Sequence, residues 1–318
     1  MTDRMRILSL AAFIGIATIL LWQVVPEAAQ APAALAQRIA HTNPASFRPS
    51  AAVHGGAGTM AFTALLNRGA VTPEFNFLHR GEIPPGAGIG HHFHNTVEEM
   101  FVILDGEAQF TIDGRTALVK GPAGVICRTG HSHAIYNSGT KPVQWVNLNV
   151  SLNAGVYDNF DMGDTRAGAS LDPIPTFMVG RFDRDLLLRQ GGRGGRGAAP
   201  ATPPAAPTTV VTRRALGPAV FSTTWAYIDQ VLVPQGMSTA EMKHETVGEA
   251  YYVLAGSGTV TVKGAASETA PVQTGDAIPI KVGEASLFTN TGSEPLELFV
   301  MGVAKDMAAK TKLLSGGN

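Results

Sequence analysis

The sequence predicts an all-β protein of two similar β domains behind an N-terminal apolar segment. A chain of 318 residues is long enough for two domains of ordinary size. Its 36 glycines and 20 prolines supply the turns that an all-β protein needs. A pattern of short strands and tight turns occurs twice, beginning at Gly86 and again at Gly236.

The N-terminal segment, residues 1–36, has the features of an export signal. Arg4 and Arg6 precede an apolar run over residues 7–25, and a small-residue cleavage site follows at Ala34-Leu-Ala36. The run is also long enough to span a bilayer. We therefore expect an exported protein, periplasmic or secreted, in which this segment is either a cleaved signal peptide or a tether to the inner membrane.

A histidine cluster in the first half of the chain has the spacing of a metal site. Alternation along a strand places His92 and His94 on one face, and Glu99 faces the same way as Phe101 on the next strand. His133 follows within the length of one small domain. If these faces converge, His92, His94, Glu99 and His133 surround one divalent transition metal.

The intervals in this stretch match a family signature. Gly86, five residues, His92, one residue, His94, four residues, Glu99, six residues and Gly106 reproduce the first signature of the cupin superfamily. The resemblance implies a double-stranded β-helix, or jelly-roll, barrel that carries its ligand inside. It also implies that the three histidines and the glutamate are the metal ligands.

The second cupin signature follows with two departures, and in the first of them Gly121 lies one residue too far upstream. Gly130, His133 and Asn137 occupy their expected positions, whereas Arg128 stands where the signature has proline. That departure puts the shape of the loop before His133 in question. Asn137 and Gly106 fit turn requirements and not chemistry.

The same signatures return in the C-terminal third with two ligands replaced. Met242 and Ser286 stand at two histidine positions, while His244 and Glu249 are retained. The chain therefore resembles a bicupin with one complete and one degenerate site. A thioether and a hydroxyl suit such a metal poorly, so we expect the second barrel to be a structural or interface partner.

The repeat also predicts the domain organisation. The predicted segments are a signal or anchor over 1–36, a first cupin with an N-terminal arm over 37–165 (core about 74–152), a connecting segment over 166–215, a second cupin over 216–306 and a tail over 307–318. The connecting segment contains an Arg-Gly-Gly stretch and a Pro/Ala-rich stretch typical of a surface linker. The part before this linker is expected to pack over a barrel or against a partner subunit, which leaves a homo-oligomer open.

Three neighbours of the expected ligands are assigned by strand parity. His131 shares parity with His133 and is our candidate catalytic acid–base group near the barrel mouth. His91 has the opposite parity and should point out of the barrel. Glu98 also has the opposite parity to Glu99, and we expect it to be solvated.

The resemblance implies a metal-dependent enzyme acting on a small oxygenated metabolite. Three imidazoles and one carboxylate leave two positions of an octahedron open, which favours Mn, Fe, Ni or Co, with Zn as a further option. Dioxygenase or decarboxylase chemistry is the first expectation. The alternatives are an isomerase or hydrolase that uses the metal as a Lewis acid, and a non-catalytic carbohydrate or small-ligand binding bicupin. Because the net charge is only −1, we expect no nucleic-acid partner.

Overall fold

The computed structural model describes residues 34–190, the side chain of Gln190 excepted, and residues 207–316. Strands predominate, which confirms the all-β prediction. The apolar run over 7–25 and most of the Gly/Arg- and Pro/Ala-rich linker lie outside the described residues. Among those described, no helix has the length and apolar character needed to cross a membrane.

The N-terminal part contains fourteen strands and two helices. They are α1 (Leu35–Arg38), β1 (Ala40–His41), β2 (Arg48–Ala51), β3 (Thr59–Leu66), β4 (Phe75–Ile83), β5 (Gly88–His94), β6 (Val97–Ile103), β7 (Glu107–Ile112), β8 (Arg115–Lys120), β9 (Ala123–Cys127), β10 (His131–Tyr136), β11 (Val143–Ser151), β12 (Phe160–Asp164), β13 (Leu171–Asp172), β14 (Val179–Arg181) and α2 (Arg184–Gln190).

The C-terminal part contains nine strands and one helix. They are β15 (Val211–Leu216), β16 (Trp225–Val233), β17 (Met242–Lys243), β18 (Val247–Ala255), β19 (Ser257–Lys263), β20 (Ser267–Gln273), β21 (Asp276–Ile280), β22 (Ala285–Asn290), β23 (Leu296–Ala304) and α3 (Met307–Leu314). Short 3-10 turns cover Pro44–Ser46, Val53–Gly55 and Pro218–Val220.

Each barrel consists of two sheets packed on a common core. In the first barrel a seven-stranded sheet, β14-β9-β6-β11-β4-β3-β2, faces a six-stranded sheet, β12-β5-β10-β7-β8-β13. In the second, β1-β21-β18-β23-β16-β15 faces β17-β22-β19-β20. Each core draws apolar side chains from both of its sheets, which fixes the register of the strands.

Strand β6 is buried on both faces, and its alternation agrees with the sequence prediction. Phe101 and Ile103 point into the first barrel. Met100 and Val102 point the other way, into a cluster shared with residues of the second barrel such as Trp225. The outer face of the seven-stranded sheet is therefore an interface between the two barrels.

The turn positions of the two signatures behave alike. The side-chain amide of Asn137 donates to the carbonyls of Ile83 and Lys141, and the equivalent Asn290 makes the same two kinds of bond in the second barrel. Gly130 has φ 78°, a left-handed conformation that favours glycine. The predicted structural role of Asn137 agrees with these contacts.

The N-terminal arm lies on the second barrel, whereas the predicted boundary placed residues 37–41 with the first cupin. Ala40–His41 pairs with β21, and Leu35 and Ile39 bury their side chains in the second core. Arg38 forms an ion pair with Glu284 at 2.6 Å. A two-residue strand has no periodicity, so its partner sheet could not be read from the sequence.

The segment after the first barrel packs against that barrel in part. Strand β12 pairs with β5 and strand β14 with β9, and the side chain of Phe182 is buried in the cluster between the barrels. This agrees with the expectation that the segment covers a barrel.

Candidate metal centre

Three imidazoles converge between strands β5 and β10. His92 and His94 alternate along β5, and antiparallel pairing sets His133 directly opposite His92. The Nε2 atom of His133 lies 3.0 Å from that of His92 and 3.1 Å from that of His94. Three imidazole nitrogens this close together form a natural donor set for a metal ion.

Glu99 completes the group from the opposite sheet. It lies on β6, and its Oε2 atom is 3.3 Å from Nε2 of His94. The four ligand atoms lie within 4.8 Å of one another, and all four residues are buried. The structure thus brings together all four side chains that the sequence predicts as ligands.

The separations between ligand atoms fit coordination of a single metal ion. Bonds of about 2.1 Å to imidazole nitrogen place neighbouring ligand atoms about 3.0 Å apart at a right angle and about 3.4 Å apart at the tetrahedral angle. The Nε2 separations of 3.0 and 3.1 Å are near the right-angle value, and the 3.3 Å between Nε2 of His94 and Oε2 of Glu99 is near the tetrahedral value. Separations of this size suit four ligands on one divalent transition metal.

Backbone carbonyls orient two of the imidazoles. Nδ1 of His92 is 2.7 Å from the carbonyl oxygen of Gly90, and Nδ1 of His94 is 2.6 Å from that of Asp158. A protonated Nδ1 donates to each carbonyl, which leaves the Nε2 lone pair directed at the centre. The ring of His133 is held differently, by stacking on Phe101 with centroids 4.2 Å apart.

Two asparagines of β11 hold the carboxylate. Nδ2 of Asn147 donates to Oε1 of Glu99 at 2.6 Å, and Nδ2 of Asn149 donates to Oε2 at 2.8 Å. The sequence analysis missed these residues, although their spacing of two is itself a strand signal. What it lacked was the register that pairs Asn149 with Glu99.

The electrostatics prepare the site for a cation. Burial lowers the pKa of His92 to about 3 and that of His133 well below its usual range, so both rings are neutral. Burial alone would raise the pKa of Glu99, but the hydrogen bond and charge of His94 outweigh it and lower the value to about 2. Neutral His92 and His133 and an ionised Glu99 are in the states that bind metal. Burial would lower the pKa of His94, but its hydrogen bond to Glu99 and the charge of that carboxylate raise it, so a bound metal would displace a proton from His94.

The site opens into a cavity of about 160 Å³ with mainly aromatic and apolar walls. Glu99 and Asn147 contribute its polar end. The remaining lining residues are Val53, His54, Met60, Phe62, Phe77, His79, Ile89, Trp145 and Tyr157. No lysine or arginine side chain lines this cavity within residues 34–190 and 207–316.

His54 is a titratable group that the sequence analysis did not identify. Its ring stacks on the ligand His92 with centroids 4.0 Å apart, and its Nδ1 lies 2.7 Å from Oδ1 of Asp161. The residue has φ 49°, a left-handed conformation that is uncommon outside glycine. His54 precedes the signature in a turn without periodicity, so no local pattern pointed to it.

His79 is a second titratable group in the cavity wall. It lies on β4 and stacks on Phe77 with centroids 3.9 Å apart and planes within 5°. Burial lowers its pKa to about 4, although the charge of Glu99 opposes the shift. The ring is therefore neutral at neutral pH.

His131 and His91 lie away from this cavity. Nδ1 of His131 is 2.6 Å from Oδ2 of Asp113, and the residue lines a separate surface cavity with Arg128. The catalytic role of His131 remains a prediction that its position does not favour. His91 points out of the barrel, as predicted, but it is covered by β12 and contacts the hydroxyl of Ser132 at 2.8 Å.

The expectation that Glu98 is solvated is wrong. Glu98 is fully buried and accepts hydrogen bonds from the backbone N–H and hydroxyl groups of Ser222 and Thr223. Its parity is as predicted, since it faces the same way as Met100. The second barrel covers that face, and the sequence could not show what covers it.

The second barrel keeps the register of the site but only two of its four ligand positions, His244 and Glu249. Met242 pairs with Ser286 as His92 pairs with His133. Oε1 of Glu249 is 3.5 Å from Nε2 of His244. In the part of the chain that the structure describes, the only four-residue metal-type cluster is the one in the first barrel.

Comparisons with known proteins agree with this architecture. The cupin domain family matches residues 79–150 and 229–302. An oxalate-binding protein of Thermotoga maritima is 31% identical over 102 residues, which are 31% of this chain and 83% of that protein.

Two solved structures are similar over most of the chain. The oxalate decarboxylase of Lactobacillus farciminis, in its formate complex, has a TM-score of 0.55 at 14% identity. The matched region covers 84% of this chain and 86% of the decarboxylase chain. A mutant of the salicylate 1,2-dioxygenase of Pseudoaminobacter salicylatoxidans has a TM-score of 0.54 at 16% identity and covers 80% and 78%. Similarity at this level of identity establishes the two-barrel fold.

Proposed function

We propose that this chain, which belongs to the cupin superfamily and contains two cupin barrels, is a dioxygenase acting on a small hydroxylated aromatic compound. The reaction would take place in the first barrel, at the group formed by His92, His94, Glu99 and His133. A divalent transition metal bound there supplies Lewis-acid polarisation of substrate oxygens and, for a redox-active ion, activation of O₂.

The observation that carries this proposal is the character of the cavity next to the metal group. Phe62, Phe77, Trp145 and Tyr157 supply aromatic surface, and the described part of the chain puts no lysine or arginine in its wall. Aromatic walls favour an aromatic ring through offset or edge contacts. A multiply charged anion would find no lysine or arginine there to balance its charge.

His54 is the residue best placed to move a proton. It stacks on a metal ligand, and the carboxylate of Asp161 orients its ring, which is the arrangement expected of a general base. In this role its Nε2 takes the proton from a substrate hydroxyl as that oxygen approaches the metal group. His79 is less suited, because a base with a pKa of about 4 holds a proton poorly at neutral pH.

Tyr157 and the asparagine pair would orient the reacting groups. Burial raises the pKa of Tyr157, so its phenol stays protonated and can donate a hydrogen bond to a substrate oxygen. Asn147 and Asn149 hold the Glu99 carboxylate in one orientation through bonds of 2.6 and 2.8 Å. The apolar remainder of the cavity wall limits the access of water.

A decarboxylase of a small dicarboxylate is the second candidate. The cavity of about 160 Å³ suits a molecule as small as oxalate. A relative with 31% identity is named an oxalate-binding protein, and one structural neighbour is an oxalate decarboxylase. The absence of lysine and arginine from the described cavity wall weighs against this candidate.

Turnover assays with and without O₂ distinguish the candidates. Protein loaded separately with Fe(II) or Mn(II) would be incubated with catechol, salicylate or oxalate, with O₂ uptake and CO₂ release recorded together. We expect O₂ uptake with an aromatic substrate and none with oxalate. Release of CO₂ from oxalate would establish the second candidate, and ligand binding without any turnover would favour a binding protein.

A matched pair of variants tests the assignment of His54. His54→Phe keeps the stacking surface but removes the base, and should lower the turnover number by about 100-fold or more. His41 is the control, because its Nδ1 lies 2.7 Å from Asp276 on the second barrel, the same kind of pair far from the site. His41→Phe should leave turnover unchanged. Equal rates in both variants would remove His54 from the mechanism.

A further inference from the structure

The second barrel encloses a cavity that is larger than that of the first. Its volume is about 450 Å³, within the range of sites that bind small organic molecules. It occupies the position of the metal site in the first barrel, with Met242 and Ser286 in place of two histidines. Without those ligands the space is available to an organic molecule.

The polar end of this cavity is a buried carboxylate. Glu249 is only 5% exposed and accepts a hydrogen bond on each oxygen, from Tyr227 at 2.7 Å and from Tyr251 at 2.7 Å. Burial raises the pKa of both phenols, so they act as donors. Oε2 retains a further lone pair for a donor from a ligand, whereas Oε1 also has Nε2 of His244 3.5 Å away.

No lysine and no unpaired arginine in the described cavity wall balances the charge of Glu249. Arg214 also lines the cavity, but its guanidinium forms a two-point ion pair with Asp229 at 2.7 and 2.9 Å. The same guanidinium stacks on the Tyr227 ring, 4.0 Å from its centroid. His244 is the one other basic residue of the described wall, and its Nε2 lies 3.5 Å from Oε1 of Glu249. The cavity thus favours a cationic ligand and disfavours an anion.

The rest of the wall is largely apolar. The rings of Tyr251 and Phe288 pack together with centroids 4.5 Å apart. Aliphatic side chains extend this surface; they belong to Val210, Val231, Leu298 and Val300. Such a wall suits an aromatic or aliphatic body, and its aromatic faces also attract a cation.

We propose that the second barrel is a metal-free binding site for a small organic amine. The protonated nitrogen donates to Glu249, and the apolar part of the ligand packs between the Phe288 ring and Leu298. The inference does not depend on the reaction in the first barrel. It assigns ligand binding to a domain whose lost histidines otherwise suggest a purely structural role.

Three probes of one shape and different charge test this proposal. Benzylamine, benzyl alcohol and benzoate would be titrated into the metal-loaded chain, with calorimetry or ligand-observed NMR as the readout. We expect benzylamine to bind at least about tenfold more tightly than benzoate, with the alcohol between them. Benzoate binding as tight as that of the amine would overturn the proposal, and so would the absence of binding by all three.

Variants place the binding in the second barrel. Glu249→Gln should weaken benzylamine by about tenfold or more, because the neutral amide loses the charge interaction. The control, Glu294→Gln, changes an exposed glutamate of the same domain and should have no effect. Ser286→Leu, which fills part of the cavity, should block all three probes. Unchanged benzylamine affinity in both cavity variants would refute the assignment. So would the finding that the chain binds a second metal ion, which Glu249→Gln loses.

Discussion

Replacing Glu98 with glutamine should destabilise the contact between the two barrels. Each carboxylate oxygen accepts one backbone N–H and one hydroxyl, with distances of 2.6–2.8 Å to Ser222 and Thr223. In glutamine one carboxylate oxygen is replaced by an amide NH₂ group, which would face one of the two backbone N–H groups. A backbone N–H cannot rotate to find another acceptor. One buried donor then loses its acceptor, and the other bonds lose the assistance of the charge.

The expected cost follows from these contacts. An unsatisfied buried donor costs about 1–3 kcal/mol, and bonds to a charged group exceed neutral ones by about 0.5–1.5 kcal/mol. We therefore expect Glu98→Gln to lower the free energy of unfolding by about 2–4 kcal/mol. Urea denaturation followed by near-ultraviolet circular dichroism measures this change. The exposed Glu107 is the control, and Glu107→Gln should change stability by less than about 0.5 kcal/mol.

A second variant tests whether the effect arises at the interface. Lys310 is 1% exposed, and its Nζ donates to the carbonyls of Phe221 and Thr223, so it holds the same segment from helix α3. Glu98→Gln and Lys310→Met should couple, because each weakens the segment that the other needs. The reasoning would be refuted if Glu98→Gln had the same free energy of unfolding as the wild type. It would also be refuted if the losses of unfolding free energy in the two single variants added up to the loss in the double variant.

The remaining predictions concern the metal, the proton-binding groups and the location of the protein. Elemental analysis should find one transition metal per chain. His94→Ala should abolish metal binding, whereas His91→Ala should retain it. Equal loss of metal in both variants would show that the strand register is wrong. His131→Gln should leave turnover unchanged, whereas a loss of rate with full metal content would restore its predicted catalytic role. Burial lowers the pKa of His79 from 6.5 to about 4. Between these two pH values the unfolded chain therefore binds more protons than the folded chain. The free energy of unfolding should therefore fall as the pH drops through this range, and urea titrations should show a smaller fall for His79→Phe. Cell fractionation with N-terminal sequencing should place the protein outside the cytoplasm, either beginning near residue 37 or retained at the membrane by residues 7–25. Full-length protein in the cytoplasm would contradict both forms.

The ligand group could be predicted because its information is local. Alternation along a strand determines which side chains share a face, so His92 and His94 were assigned together and Glu98 was assigned to the face opposite Glu99. The repeat of the same intervals from Gly236 indicated a second barrel. It also showed that Met242 and Ser286 replace two ligands there.

Other features depended on which surfaces meet. Parity showed that Glu98 faces away from the metal group, but not that the second barrel covers that face and supplies Ser222 and Thr223. His54 reaches the site from a turn without periodicity, and the N-terminal arm pairs with the second barrel through only two residues.

The sequence by itself thus determined the class of fold, the repeat and the four candidate ligands. These depend on the two-residue period of a strand and on fixed spacings along the chain. Only the tertiary structure decided the proton-transfer candidate His54, the buried role of Glu98 and the cavity around Glu249. Each of these depends on contacts between segments far apart in the chain, and a local pattern specifies the direction of a side chain but not its distant partner.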